Sequence, residues 1–283
     1  MALIPQFFLD CVVSIGVQQP NIYQNAFPPP ISWIGTGFLV GRHIEGTANP
    51  KRYFTYLVTN KHVIQNQQSI VVRFNSLLGN ETKDYPCALY ENLNQNWIGH
   101  TDPNVDVAAI PVNPEILTSD NAKFHFFSLD DHSINATSMK QHGFSEGDFL
   151  YILGFPMGIV TNQHNCVIAR SGIIARIRDV FAGASSTFLI DANIYPGNSG
   201  GPVISKPEAV SIEGTNSISH ASLIGMVKSY LPYRDTAISQ QTGNPRVIFE
   251  ENSGLAAVET VDNIISTIDM AYNKFHAPTR LSI

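Results

Sequence analysis

From Val12 to Gly254 the chain is a succession of short β-branched and aromatic runs, each soon cut off by Gly, Pro or Asn. VVSIGV (12–17), ISWIGTGFLVG (31–41), RYFTYLVTNKHV (52–63), SIVVRFN (69–75) and DVAAIPV (106–112) fall in the first half. DFLYILGFP (148–156), NCVIARSGIIARI (165–177), TFLIDANI (187–194), GPVIS (201–205), SLIGMVKSYL (222–231) and RVIFEENSG (246–254) fall in the second. Runs of this kind bounded by turn formers read as strands, and many of them in series close into barrels or stack as sandwiches. The 20 Gly and 17 Pro disfavour a helical bundle. One segment breaks the pattern. In TVDNIISTIDMAYNKF, Val261, Ile264, Ile265, Ile268, Tyr272 and Phe275 recur at helical spacing behind Thr260, which suits an N-cap. An all-β body with one C-terminal α-helix is therefore expected, while 76–104 and 115–145 carry weak signals and 18–30 is a proline-rich loop.

Charge narrows the function. Lys and Arg number 17 against 23 Asp and Glu, a net charge of -6, and charged residues make up only 14% where about 25% is usual. There is no basic excess to grip a phosphate backbone, so no nucleic-acid partner is expected. Cys11, Cys87 and Cys166 are odd in number and far apart, with no CxxC or Cys/His cluster. They read as buried reduced thiols of a cytoplasmic protein, with neither metal nor cofactor. MALIPQFFLDCVVSIGV has no basic residue ahead of its apolar run, and Asp10 interrupts it, which argues against an export signal. No unbroken apolar run approaches the roughly 18 residues of a membrane span.

The sharpest local feature is YPGNSGGP (195–202). Glycines two places before a serine and directly after it build a tight loop, either a plain turn or one whose backbone approaches a reacting group. Acyl transfer needs such a loop: a serine hydroxyl attacks a carbonyl while neighbouring N–H groups bind the developing oxyanion. Gly197 and Ser199 can supply those donors. The hydroxyl also needs a base, and of nine histidines His62 alone ends a long apolar run, which would fix its ring at a rim. His43, His100, His125, His132, His142, His164 and His220 lie in loops or weakly patterned segments. For the carboxylate that orients the imidazole, Asp106 opens an apolar run, whereas Asp102 lies in the turn-like TDPN.

The chain order His62, Asp106, Ser199 is one known solution of triad geometry. With GTGFLV (35–40), VTNKHV (58–63), DVAAI (106–110) and GNSGGP (197–202), the sequence resembles the trypsin-like serine protease superfamily. GDFLYILGFPMG (147–158), ARSGIIARI (169–177), IDANIYPGNSGGP (190–202) and SGLAAVETVDNII (253–265) are most similar to its HtrA-type bacterial branch, here without space for a PDZ module. The loops 76–104 and 206–221 follow no pattern of that branch.

The resemblance implies two six-stranded antiparallel β-barrels and a C-terminal α-helix. Residues 1–120 would carry His62 and Asp106, and 121–283 would carry Ser199. It implies His62 as general base and then acid, Asp106 as its orienter, Ser199 as nucleophile, and the Gly197 and Ser199 N–H groups as oxyanion hole. Asn193 would lie at the base of the primary specificity pocket and, being uncharged, would disfavour Arg or Lys there; a small or medium apolar side chain is expected. Lys228, Ser229 and Tyr230 would pair their backbone with substrate, leaving the Lys228 side chain without a task, while Tyr230 either narrows the pocket mouth or is a half-exposed strand residue. Asp191 either orders the loop before the nucleophile or is an ordinary turn acid. Asn198 cannot make the buried ion pair with a newly cut N-terminus that activates digestive enzymes. The expected function is a serine endopeptidase acting on protein or peptide substrates. The alternatives are a peptide-binding scaffold on the same fold, a latent protease awaiting a regulatory partner, and an esterase or acyltransferase using the same triad.

Overall fold

The structure is a computed structural model that describes residues 3–20, 30–47, 50–92, 94–161, 163–208 and 218–277. Most of the loop 18–30, and 209–217 of the loop 206–221, therefore lie outside the described residues. The first half contributes β1 (Val12–Gln18), β2 (Ile31–His43), β3 (Tyr53–Thr59), β4 (Ser69–Ser76), β5 (Thr82–Ala88) and β6 (Tyr90–Glu91). It continues with β7 (Asn94–Gln95), β8 (Ile98–Gly99), β9 (Ala108–Val112), β10 (Ala122–Lys123) and β11 (Phe127–Ser128). The second half contributes β12 (Phe149–Gly154), β13 (Ile168–Arg176), β14 (Thr187–Asp191), β15 (Pro202–Ser205), β16 (Leu223–Ile238) and β17 (Pro245–Thr260).

The second half is the expected closed barrel, β12-β13-β14-β17-β16-β15. Alternation along its strands sends Leu150, Ile152, Ile174, Phe188, Ile190, Val203, Ile224 and Val258 into one apolar interior. The first half differs. Six strands follow in barrel order, β5-β4-β1-β2-β3-β9, but no ladder joins β5 to β9, so the nine-stranded sheet stays open. The facing edges explain the gap: Pro86 sits in β5 and Pro111 in β9, and proline has no N–H to donate across a ladder. A cavity of about 230 Å³ lies along this seam, lined by Tyr85, Pro86, Cys87, Ile110, Val112 and Leu117 among others. β10 and β11 add to β4 and β2, so this sheet runs on to Ser128.

Between the halves lies a shared core. Phe38, Tyr56 and Val107 from the first half pack with Leu153, Ile204 and Met226 from the second, and with Val261, Ile264 and Ile268 of the C-terminal helix. That helix runs Val261–Phe275 behind Thr260, as its periodicity predicts. Its far end is clasped to the first half. Arg42 Nε donates to Asp269 Oδ1 at 2.8 Å and its guanidinium lies 4.0 Å from the Tyr272 ring centroid. All three cysteines are free, but only Cys11 is buried; Cys87 is half-buried at the seam and Cys166 is exposed.

Candidate active site

β3 ends at Thr59, and Asn60 turns the chain into a short helix, Lys61–Ile64. Burial of Val63 and Ile64 pins that turn, while the His62 side chain stays 45% exposed. Asp106 stands just ahead of β9, and its side chain is 16% exposed. Its carboxylate grips His62 twice, accepting from the backbone N–H at 3.1 Å and lying 2.5 Å from Nδ1. A carboxylate only accepts, so Nδ1 carries the proton and Nε2 is left as the basic nitrogen. The competitor Asp102 is spent on its own turn, where Oδ1 accepts the Asn104 N–H at 2.8 Å.

Asp106 is itself held on both sides of its backbone. Its N–H donates to Glu259 Oε1 at 2.8 Å, and its carbonyl accepts from Asn60 Nδ2 at 2.8 Å. Neither partner was visible as a site residue in the sequence. In hindsight Glu259 carried a signal, as the one acid in the apolar run LAAVET.

The glycine-rich loop around Ser199 consists of two consecutive turns. Asn198 N–H donates to the Tyr195 carbonyl at 3.0 Å, with Pro196 and Gly197 in the middle, and Gly201 N–H donates to the Asn198 carbonyl at 2.9 Å, with Ser199 and Gly200 in the middle. In each turn the third residue is a glycine at positive φ, +95° for Gly197 and +83° for Gly200, the pattern of a type II turn. A Cβ on Gly197 would run into the Phe155 carbonyl oxygen. The outcome for the backbone is specific: among the described residues neither the Gly197 nor the Ser199 N–H is used in a hydrogen bond.

Three groups fix these turns, two from outside the loop and one within it. Thr36, fully buried in β2, donates its hydroxyl to the Gly197 carbonyl at 2.6 Å and its N–H to the Ser199 carbonyl at 2.9 Å. The Thr36 hydroxyl accepts from Phe155 N–H at 3.1 Å, and its carbonyl accepts from Thr59 Oγ1 at 2.8 Å, so one threonine ties the loop to both halves. Met157, at a left-handed φ of 56°, donates its N–H to the Pro196 carbonyl at 2.6 Å. Asn198, also fully buried, turns its amide oxygen back to accept the Tyr195 N–H at 3.2 Å. The sequence shows Thr36 only as the middle of GTG, and nothing there marks its role.

Gly35 lies between the helix that carries His62 and the loop that carries Ser199. A Cβ on Gly35 would stand 2.8 Å from Val63 Cγ1 and 3.4 Å from the Ser199 carbonyl oxygen. The Ser199 hydroxyl makes no hydrogen bond among the described residues, and such bonds commonly tighten only when substrate arrives.

The residues expected to set specificity are placed more loosely. Asn193 is exposed beyond the end of β14, its Oδ1 4.0 Å from where a Gly254 Cβ would stand. β15 pairs with β16 only up to Met226, so the edge of β16 is open from Lys228 onward. Ser229 is exposed on it. Tyr230 is half-buried, and its hydroxyl donates to Glu250 Oε1 at 2.9 Å; this bond to a carboxylate raises the phenol above its ordinary range and lowers Glu250 below its own. Asp191 pairs in β14 with Ile173 and Leu255, as a strand residue. The side chain of Lys228 is not idle. Its ammonium reaches the Asn104 carbonyl at 2.5 Å and Glu259 Oε1 at 3.0 Å. Among the described residues no group of three or more His, Cys, Asp or Glu could hold a metal ion, and no helix is long and apolar enough to cross a membrane.

Residues 35–210 match the family described as the trypsin-like peptidase domain. This chain belongs to that family. The matched span takes in the His62, Asp106 and Ser199 segments of this trypsin-like peptidase domain and stops short of β16 and β17. A serine protease DegP homolog of Plasmodium falciparum (isolate 3D7) is 28% identical over 206 residues, which is 70% of this chain but only 18% of that protein. Among solved structures, the apo MamO protease domain of Magnetospirillum magneticum is similar at a TM-score of 0.46 and 16% identity, covering 92% of this chain and 97% of that one.

Proposed function

We propose that this trypsin-like peptidase domain is a serine endopeptidase. Ser199 is the nucleophile, His62 Nε2 takes its proton and later returns it to the leaving amine, and Asp106 holds the ring and stabilises the imidazolium. The Gly197 and Ser199 N–H groups receive the oxyanion. The observation that carries the reading is the pairing of an oriented His62, 2.5 Å from Asp106, with the Gly197 and Ser199 N–H groups of a tight loop, both unspent among the described residues. Asn198 supports competence without a newly cut N-terminus, because it braces the loop by accepting the Tyr195 N–H on its amide oxygen rather than through a buried ion pair. The open edge of β16 at Lys228, Ser229 and Tyr230 would take the substrate backbone as an added strand. Uncharged Asn193 favours an apolar side chain over Arg or Lys at the cleaved position. We read the nine-stranded sheet as the first of two β-barrels, opened along the seam between β5 and β9.

An active-site fluorophosphonate tests the reading. Labelling of the wild type that disappears in Ser199→Ala supports the endopeptidase. Absent labelling in a folded wild type sinks it in favour of a scaffold or a latent state, the reading that the unpaired Ser199 hydroxyl would then favour. Peptide amide cleavage, set against ester cleavage, separates a peptidase from an esterase with the same triad.

A further inference from the structure

Glu259, next to the last residue of β17, is fully buried, and its carboxylate meets donors from three places. Oε1 accepts the Asp106 N–H at 2.8 Å and stands 3.0 Å from Lys228 Nζ, while Oε2 accepts from Asn263 Nδ2 at 2.6 Å. The Lys228 ammonium also donates to the Asn104 carbonyl at 2.5 Å. Removing such a pair from water costs more than its attraction returns unless the remaining lone pairs and protons find partners. Here those partners are the Asn263 amide and the backbone of 104–106, which has no regular structure of its own. An apolar pair would seal the same corner, so the charges mark a task other than packing.

We infer that Lys228 and Glu259 are a positioning pair that sets where Asp106 stands beneath His62. The inference rests on the triad reading above. Both Asp106 oxygens are already committed to His62, so the aim of the carboxylate depends on its backbone. That backbone is pinned at the Asn104 carbonyl by Lys228, at the Asp106 N–H by Glu259 and at the Asp106 carbonyl by Asn60. The same Lys228 opens the strand edge proposed to receive substrate. The peptide strand and the orienting acid therefore rest on one pair of side chains, contributed by the second half to the first.

Glu259→Ala, Glu259→Gln and Lys228→Met test this, read by kcat and KM on a short peptide substrate and by the far-downfield proton resonance of His62 Nδ1–H. Glu259→Ala is expected to lower kcat about 100-fold at unchanged KM, as a displacement of about 1 Å in a catalytic group does, and to shift or erase the resonance. Glu259→Gln keeps an oxygen for the Asp106 N–H and should restore kcat to within about tenfold, the scale of one charge-assisted bond. A folded Glu259→Ala with wild-type kcat and an unmoved resonance overturns the pair. Should that variant fail to fold around an unpaired Lys228, the double variant Lys228→Met with Glu259→Leu removes both charges and decides in the same two readouts. A wild type that no fluorophosphonate labels would defeat the triad reading instead. The resonance needs no turnover, so it would still decide the pair.

Discussion

The backbone N–H of Met157 donates to the Pro196 carbonyl at 2.6 Å, and so holds the Pro196–Gly197 peptide with its oxygen turned outward. Rotating that peptide would swap the free Gly197 N–H for a carbonyl. Gly197 can keep the outward orientation because φ +95° costs it nothing, and because a Cβ there would collide with the Phe155 carbonyl oxygen. Gly197→Ala is therefore expected to lower kcat about 100- to 1,000-fold, the cost of losing one oxyanion donor, with KM near wild type. Steady-state kinetics on a peptide amide check it, and a variant as fast as wild type would remove Gly197 from the mechanism.

Thr36 makes a second test, since its hydroxyl joins the Gly197 carbonyl to the Phe155 N–H inside a fully buried site. Thr36→Val keeps the shape and removes both bonds, leaving two buried backbone groups without partners. The expected loss is about 1–3 kcal/mol of folding stability, together with reduced fluorophosphonate labelling. Denaturant unfolding measures the first, and an unchanged midpoint would show that water or backbone movement replaces the hydroxyl.

Acid should destabilise the fold through two histidines. Burial lowers His132, against the pull of Asp131 and Asp130, and its Nδ1 must stay unprotonated to accept the Ser128 N–H at 3.1 Å. Burial also lowers His276, whose ring stacks on Phe54 at 4.2 Å between centroids. Both folded-state values lie below the ordinary 6.5, so the unfolded chain binds protons more readily. Their contribution is complete above that value and is lost as pH falls below it. Tm is expected to drop between about pH 7.5 and pH 5.5, and less so in His132→Leu and His276→Phe. A wild-type Tm that rises on acidification would contradict this.

The outer part of the β16–β17 hairpin, from Pro232 paired with Asn252 to Ile238 near Pro245, gains no third strand among the described residues. Tyr233, Ile238, Ile248 and Phe249 are each more than half exposed on it. An isolated two-stranded ribbon is marginal on its own, and its turn at 239–244 is open to attack. Limited digestion is expected to nick there first and leave the barrel's unfolding transition close to that of the intact chain, with mass spectrometry locating the cut. A first cut inside β12–β15 would show that the ribbon is protected.

How much of this was legible in the sequence depends on range. His62, Asp106 and Ser199 stand out as candidates because each sits beside a strong local signal: the end of an apolar run, the start of one, and glycines around a turn. The C-terminal helix could be read for the same reason. β5 could not. TKDYPCA is a half-exposed edge strand whose burial alternates while its residues do not alternate between apolar and polar, so it looked like part of a polar loop. The open seam also escaped, because DVAAIPV reads as one strand through Pro111 and nothing local reports whether its outer edge finds a partner. Thr36, Asn60 and Glu259 act across long separations, 153 positions for Glu259 and Asp106, and no periodicity reports a bond of that span. The contacts of Lys228 with Glu259 and the Asn104 carbonyl were hidden for the same reason.

That span has a meaning during synthesis. Chains emerge N-terminus first, so His62, Asp106 and Ser199 are all exposed to the cell before the ribosome has made residue 259. Until then β14 and β16 lack their common neighbour β17, the second barrel cannot close, and Asp106 has no carboxylate to hold its backbone. A nascent chain thus carries His62, Asp106 and Ser199 before β17 is made, and the arrival of β17 joins barrel closure to the bracing of Asp106 by Glu259.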